Sequence, residues 1–229
     1  MSWVITGSEK TPVDPQFTSV SLLLHGNGTN GSTTIVDSSS SPKTVTAVGN
    51  AQISTAQSKF GGASIAFDGS GDRLAIPASS QFGFGMDSFT IEYFLRCTAS
   101  GLQIHLDTRI AADSESAPEI YSDGATLYYY ANATNLITAT SSITANTWQH
   151  IAVCRSAGAT RLFVDGIQRG STYSDLLNYS AARPVSIGGH YLGIAGVFFN
   201  GYIDDLRITK GVARYTSNFT PPTAPFPDI

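Results

Sequence analysis

Charge is what this sequence has least of. Asp, Glu, Lys and Arg make up 13% of its 229 residues, about half the usual share, so long helices laced with surface ion pairs are excluded. The Lys and Arg residues are scattered and the net charge is −4, which removes the electrostatic footprint that a phosphate backbone requires. Nucleic acid is therefore not an expected partner. Cysteine is nearly absent as well. Cys97 and Cys154 each end an apolar run, and two such residues make no disulfide framework, so both are expected as buried thiols. Their flanks, "YFLRCTAS" and "IAVCRSAG", supply no clear cationic or helix-terminal setting of the kind that makes a nucleophilic thiolate.

No long stretch repeats its apolar residues with the helical period of 3.6. The start, "MSWVITGSEKTPVDPQ", lacks a basic segment followed by an apolar run, so no signal peptide is expected. Residues 184 to 203, "PVSIGGHYLGIAGVFFNGYI", carry no charge and are long enough to span a bilayer. Their five glycines, with Pro184, His190 and Asn200, make them a strand, a loop and a strand instead, with no membrane insertion.

What is present is a succession of short apolar or alternating runs separated by turn residues. Strands are expected at "VSLLLH", "KTVTAV", "ASIAFD", "RLAIP", "SFTIEYFLRC", "LQIHLDTR", "PEIYS", "TLYYYAN", "WQHIAVCR", "TRLFVDG", "PVSIGGH" and "GYIDDLRIT". Twelve strands require two packed sheets, and 41% aliphatic and aromatic residues suffice for one large core. Asp-Gly pairs at 68–69, 123–124 and 165–166 read as hairpin turns, because this dipeptide accepts positive φ. "LLNYSAAR" is expected to form a single helical turn. The tail "TPPTAPFPDI" must leave the sheet as an extended strap, since proline cannot donate to a ladder. Residues 1–17 then form an arm, 18–220 the domain and 221–229 the strap; either end frays or docks on a neighbouring subunit.

Four separated segments point further: "LLLHGNGTNGSTTIVDSSSSPKTVTAVGNAQISTAQSKFGGASIAFDGSGDRLAI", "SFTIEYFLR", "NTWQHIAVCR" with "TRLFVDG", and "GYIDDLRITKGVARYTSNFTPPTAPFP". In this order they resemble a laminin G-like domain of the concanavalin A-like lectin/glucanase superfamily, in the version found in bacteriophage structural proteins. The resemblance covers roughly residues 18 to 227. It implies an all-β jelly-roll sandwich of two curved antiparallel sheets, which the strand count reaches independently. It leaves activity open, because one superfold hosts lectins, glycosidases and viral proteins.

Catalysis is disfavoured by what is missing. A glycosidase on this fold needs two carboxylates facing each other about 5 to 9 Å apart, and no Glu-x-Asp-x-x-Glu strand occurs. His25, His105, His150 and His190 show no zinc spacing, and Gly-x-Ser-x-Gly is absent. The adjacent Asp204 and Asp205 lie in a strand, where alternation separates them. Asp204 is expected inward with Tyr202, Leu206 and Ile208, and Asp205 outward with Ile203 and Arg207, solvated.

An inward carboxylate needs a cation or several donors. The resemblance implies a structural calcium between the first and last strands, where the first-strand motif "LLHGNG" puts Asn27 in the place of an aspartate. Calcium is therefore expected on Asn27 and Asp204 with Asp37; the alternative is that Asp204 accepts backbone N–H groups with no metal. Tyr129 and Tyr191 are the candidate sugar-stacking residues, and core packing is the alternative for each. Two functions remain: a non-enzymatic virion component (capsid decoration or tail fibre, assembled in the host cytoplasm, self-associating as a homo-oligomer such as a trimer), and a module that binds host-surface glycans.

Overall fold

The structure, a computed structural model, describes residues 13–98, 100–110, 116–191 and 197–229. Among them, fifteen strands build two antiparallel sheets packed face to face. The larger sheet runs in the order β13 (Ile167–Ser174), β12 (Ala159–Val164), β11 (Gln149–Ser156), β6 (Phe89–Cys97), β15 (Asn200–Lys210), β4 (Ser64–Asp68) and β3 (Gln52–Ser54). The smaller runs β10 (Thr134–Ala139), β9 (Thr126–Ala131), β8 (Glu119–Asp123), β7 (Leu102–Asp107), β14 (Arg183–Ile187), β5 (Arg73–Ser79) and β2 (Thr46–Val48). An eighth strand of the larger sheet, β1 (Val20–Leu24), pairs with β15.

β15 is shared between two neighbours on one edge. Its first half, Asn200 to Ile203, pairs with β4, and its second half, Leu206 to Thr209, pairs with β1. At the handover the register against β6 slips between Asp204 and Arg207, and Asp205 takes φ +49°. This is a β-bulge, which inserts a residue and breaks the strict alternation of faces.

Between the sheets, alternate residues of each strand form one core: Ile91, Tyr93 and Leu95 of β6, Leu127 and Tyr129 of β9, and Ile203, Leu206 and Ile208 of β15. His105 sits within it, bonded to Tyr93 Oη and Ser122 Oγ at 3.0 Å each; burial pushes its pKa down to about 3, so it stays neutral. Cys97 and Cys154 are buried free thiols, and burial pushes the Cys154 thiol up to about 12.

Three strands have no counterpart in the sequence reading. β3 is only three residues long, and β10 and β13, "TNLITA" and "IQRGSTYS", are polar edge strands with little apolar signal. Asp165 and Gly166, at φ +50° and +74°, make the expected tight turn between β12 and β13. The segment "LLNYSAAR" forms no helical turn; Tyr179 bridges to Gly85 and Arg183 opens β14. No helix among the described residues is long and apolar enough to cross a membrane.

Candidate functional site

The two outer faces of the sandwich differ. After β15 the chain turns back over the larger sheet instead of fraying. Phe219 N donates to Gly166 O (2.9 Å), and Tyr215 stacks on Phe219 with centroids 3.5 Å apart, above Phe163 and His150. Phe226 is buried against Phe94 and under the Arg207 guanidinium, 3.9 Å from the ring centroid. Asp14 N closes the strap by donating to Ile229 O, so a residue of the sequence's N-terminal arm belongs to the packed structure.

Beneath the strap lies a buried charge network. Glu92 Oε1 accepts from Arg207 Nε (3.0 Å) and Nη2 (2.8 Å), and its Oε2 accepts from Tyr215 Oη (2.9 Å). His150 Nε2 is 3.3 Å from the same carboxylate. Asp14 bridges Arg207 and Arg214 at 3.0 and 2.7 Å. Burial pushes the Glu92 carboxyl up, but Arg207, His150 and Arg214 outweigh it and hold it at about 2. This network fastens the strap and is closed to ligands.

The outer face of the smaller sheet carries aromatic and polar side chains. β7, β8, β9 and β10 place Ile104, Tyr121, Tyr128 and Thr138 in one cross-strand row, and Asp107, Glu119, Tyr130 and Asn135 in the next. Tyr121 and Tyr128 stack at 4.7 Å and 16°, and Tyr130 meets Tyr121 edge-on at 6.3 Å. All three rings are half-buried. Tyr121 Oη donates to Asn135 Oδ1 at 2.8 Å.

One wall is knit by charge. Arg109 Nε donates to Asp107 Oδ1 (2.9 Å), its Nη2 lies 2.8 Å from Glu119 Oε1, and its guanidinium covers the Tyr130 ring at 5.2 Å. His190 Nε2 stands 3.5 Å from Asp107 Oδ2. Between wall and rings is a groove of about 230 Å³, smaller than the roughly 300–1,000 Å³ pockets that engulf a drug-sized ligand. It suits a ring lying on the surface rather than a buried molecule.

A sandwich of this topology has a family to which it can be compared. The family model Laminin_G_3, described as "Concanavalin A-like lectin/glucanases superfamily", matches residues 68–214. The chain belongs to that superfamily. No curated protein matches it by sequence. Among solved structures, this concanavalin A-like domain is similar to domain 4 of AbnA, a GH43 extracellular arabinanase from Geobacillus stearothermophilus, in complex with arabinotriose. That likeness has 14% identity and TM-score 0.61, covering 85% of this chain and 94% of that one. It is also similar to the binding domain of botulinum neurotoxin serotype D (13%, TM-score 0.64, 86% and 49%). A third likeness is to the binding domain of Paraclostridial Mosquitocidal Protein 1 (14%, TM-score 0.61, 84% and 49%). The chain spans about half the length of these toxin binding domains.

Within this concanavalin A-like domain the sequence-predicted site residues scatter. Tyr129 is not a platform: it is fully buried between the sheets and its hydroxyl donates to Tyr179 Oη at 3.1 Å. The alternation that buries it turns Tyr128 and Tyr130 outward. The flanking residues carry that signal, because Leu127 and Ala131 share the face of Tyr129 and are apolar. Tyr191 is half-buried beside His190, its N–H 3.4 Å from Asp107 Oδ2, at the rim of the groove. Residues 192–196 of the same loop lie outside the described residues.

The expected placement of the carboxylate pair is corrected by the bulge. Leu206 and Ile208 face the core with Ile203, while both aspartates lie on the outer side under the covering segments. Asp205 is buried rather than solvated: Oδ1 is 2.6 Å from His25 Nδ1, and Oδ2 accepts from Phe226 N at 2.6 Å. Asp204 Oδ2 accepts from Lys59 N (2.7 Å) and Phe60 N (3.0 Å), and its Oδ1 has no partner among the described residues. Burial, with a smaller push from Asp205, raises the Asp204 carboxyl to about 6 despite those donors. Asn27 is exposed, with its amide against Gly61. Asp37 gives both oxygens to backbone donors, Leu23 N and Ser39 N on Oδ1 and Lys43 N on Oδ2, and so pins the first strand.

Proposed function

We propose that this domain is a non-enzymatic glycan-binding module whose contact surface is the tyrosine groove, and that a bacteriophage virion displays it as a capsid decoration or tail-fibre component. One observation carries the binding reading: three half-buried tyrosines share the outer face of the smaller sheet beside a polar wall. Sugar rings present apolar faces to aromatic rings and hydroxyls to such polar groups. The structural neighbour described in complex with arabinotriose has the same fold, which supports a neutral sugar. The wall supports it too, because Arg109 is engaged by Asp107 and Glu119. The same engagement argues against catalysis, which requires one carboxyl as proton donor and one as base or nucleophile.

A glycan array of neutral oligosaccharides is expected to show binding that persists at high salt, since a neutral ligand has no charge to screen. An array that stays blank at high protein concentration leaves a purely structural role. Support for the virion rests on the order of the four sequence segments; antibodies to the domain are expected to label intact particles, and unlabelled particles refute the placement.

The reading includes a structural calcium. Asp204 Oδ1, buried without a partner among the described residues, and the Asn27 amide against the same 59–61 segment are the oxygens it would take, while Asp37 keeps its backbone donors. Added calcium then raises the melting temperature and EDTA lowers it; a melt unmoved by both refutes the metal. In EDTA the pH dependence has a defined sign. Asp204 has a folded pKa of about 6 against an ordinary 3.8, so its protonation stabilises the fold below pH 3.8, and that contribution fades as pH rises through 6. Asp204→Asn, neutral throughout, is expected to gain on the order of 2 kcal/mol over wild type above pH 6 in EDTA. Equal stabilities across the pH range would contradict it.

A further inference from the structure

A second groove lies on the opposite sheet, at the end that the strap leaves uncovered, and it is larger, about 660 Å³. Register explains its shape. Arg96 of β6, Tyr202 of β15, Ala66 of β4 and Gln52 of β3 are consecutive cross-strand partners, and all four are half-buried. Next to them Asn200 pairs with Asp68, Thr98 Oγ1 donates to Asn200 O, and Asn50 Nδ2 donates to Asp68 Oδ2. All four of these are exposed. The sheet thus presents two parallel rows of four side chains, spanning about 14 Å at the usual strand spacing. The adjacent row, through Asp204, is closed by Lys59 and Phe60.

The chemistry of this surface differs from that of the tyrosine groove. It is built of amides, hydroxyls and one tyrosine, Tyr202, beside the small Ala66, with two carboxylates at the end away from Arg96: Asp68, which accepts from Ser70 N and Asn50 Nδ2, and Asp72, which accepts from Asn50 N and Asp68 N. The Arg96 guanidinium hydrogen-bonds only to Asn146 Oδ1, at 3.5 Å, among the described residues, whereas Arg109 in the first groove is held by two carboxylates. A planar guanidinium fork with most of its donors unengaged matches a carboxylate. We infer that this face is a second glycan site that takes a short oligosaccharide bearing carboxylate sugars, with the sugar chain running across the strands, Tyr202 under a ring and Arg96 on a carboxylate. This site stands independently of the tyrosine groove.

The test is titration of the whole chain with a galacturonate trimer and with its carboxyl-reduced, neutral counterpart. The acidic trimer is expected to bind in a salt-dependent manner and at least tenfold more tightly than the neutral one. Arg96→Gln and Tyr202→Ala should each weaken it about tenfold or more, with unchanged circular dichroism and melting. Tyr128→Ala/Tyr130→Ala should leave it unchanged, which separates this site from the first. No binding of the acidic trimer, equal affinity for both trimers, or affinity unaffected by both Arg96→Gln and Tyr202→Ala would overturn the assignment. Should one variant fail to fold, the other decides.

Discussion

Replacing Arg207 with methionine is expected to cost about 3–5 kcal/mol of stability at pH 7, the usual penalty for removing one partner of a buried ion pair. Methionine keeps the length of the side chain and leaves Glu92, fully buried, without its two guanidinium bonds. Arg214, 3.7 Å away from Glu92 Oε1, is too distant to replace them. Phe226 loses the cation against its ring, so the strap loosens with the network. In wild type, Glu92 has a folded pKa of about 2 against an ordinary 4.5. Its contribution is therefore present above pH 4.5 and lost as pH falls through 2. In the variant, burial acts with far less opposition and the carboxyl shifts up, so the gap between the proteins narrows as pH falls from 7 to 4. Urea unfolding at both pH values checks this. A loss below about 1 kcal/mol at pH 7, against the penalty expected, would mean that strap and sheet hold together without the network.

The second large effect distinguishes three consecutive residues. Tyr129→Ala is expected to cost about 3–5 kcal/mol, as large aromatic truncations in a core do, and it also strips Tyr179 of its hydroxyl partner. Tyr128→Ala and Tyr130→Ala sit on the outer face and are expected to change stability by no more than about 1 kcal/mol. Thermal melts of the three variants measure the contrast. A mild Tyr129→Ala, or a severe Tyr128→Ala, would mean that β9 shows its other face to the core.

The sheets were legible in the sequence wherever a strand is half-buried, because period-2 patterning is the imprint of one dry face. It failed at β13, which is a mostly exposed edge, and at β3, which is too short to show a period. The aspartate pair misled for a different reason. Alternation assumes an unbroken ladder, and "YIDDLRI" holds a bulge whose extra residue, Asp205, sits at positive φ. Aspartate is among the few non-glycine residues that tolerate this conformation, so two adjacent aspartates in an apolar strand were themselves the signal. The groove was only half legible. "YYYA" announced an aromatic face, but Arg109, Glu119 and His190 come from separate segments that only the sheet order brings together. The row of Arg96, Tyr202, Ala66 and Gln52 is invisible in sequence for the same reason.

Calorimetric titration of wild type and Tyr128→Ala/Tyr130→Ala with arabinotriose decides whether the tyrosine groove binds a neutral sugar. Wild type is expected to bind measurably and without salt dependence, and the double variant at least tenfold more weakly, with melting temperatures nearly equal. Equal affinities for the two proteins, or no heat with either, would contradict it.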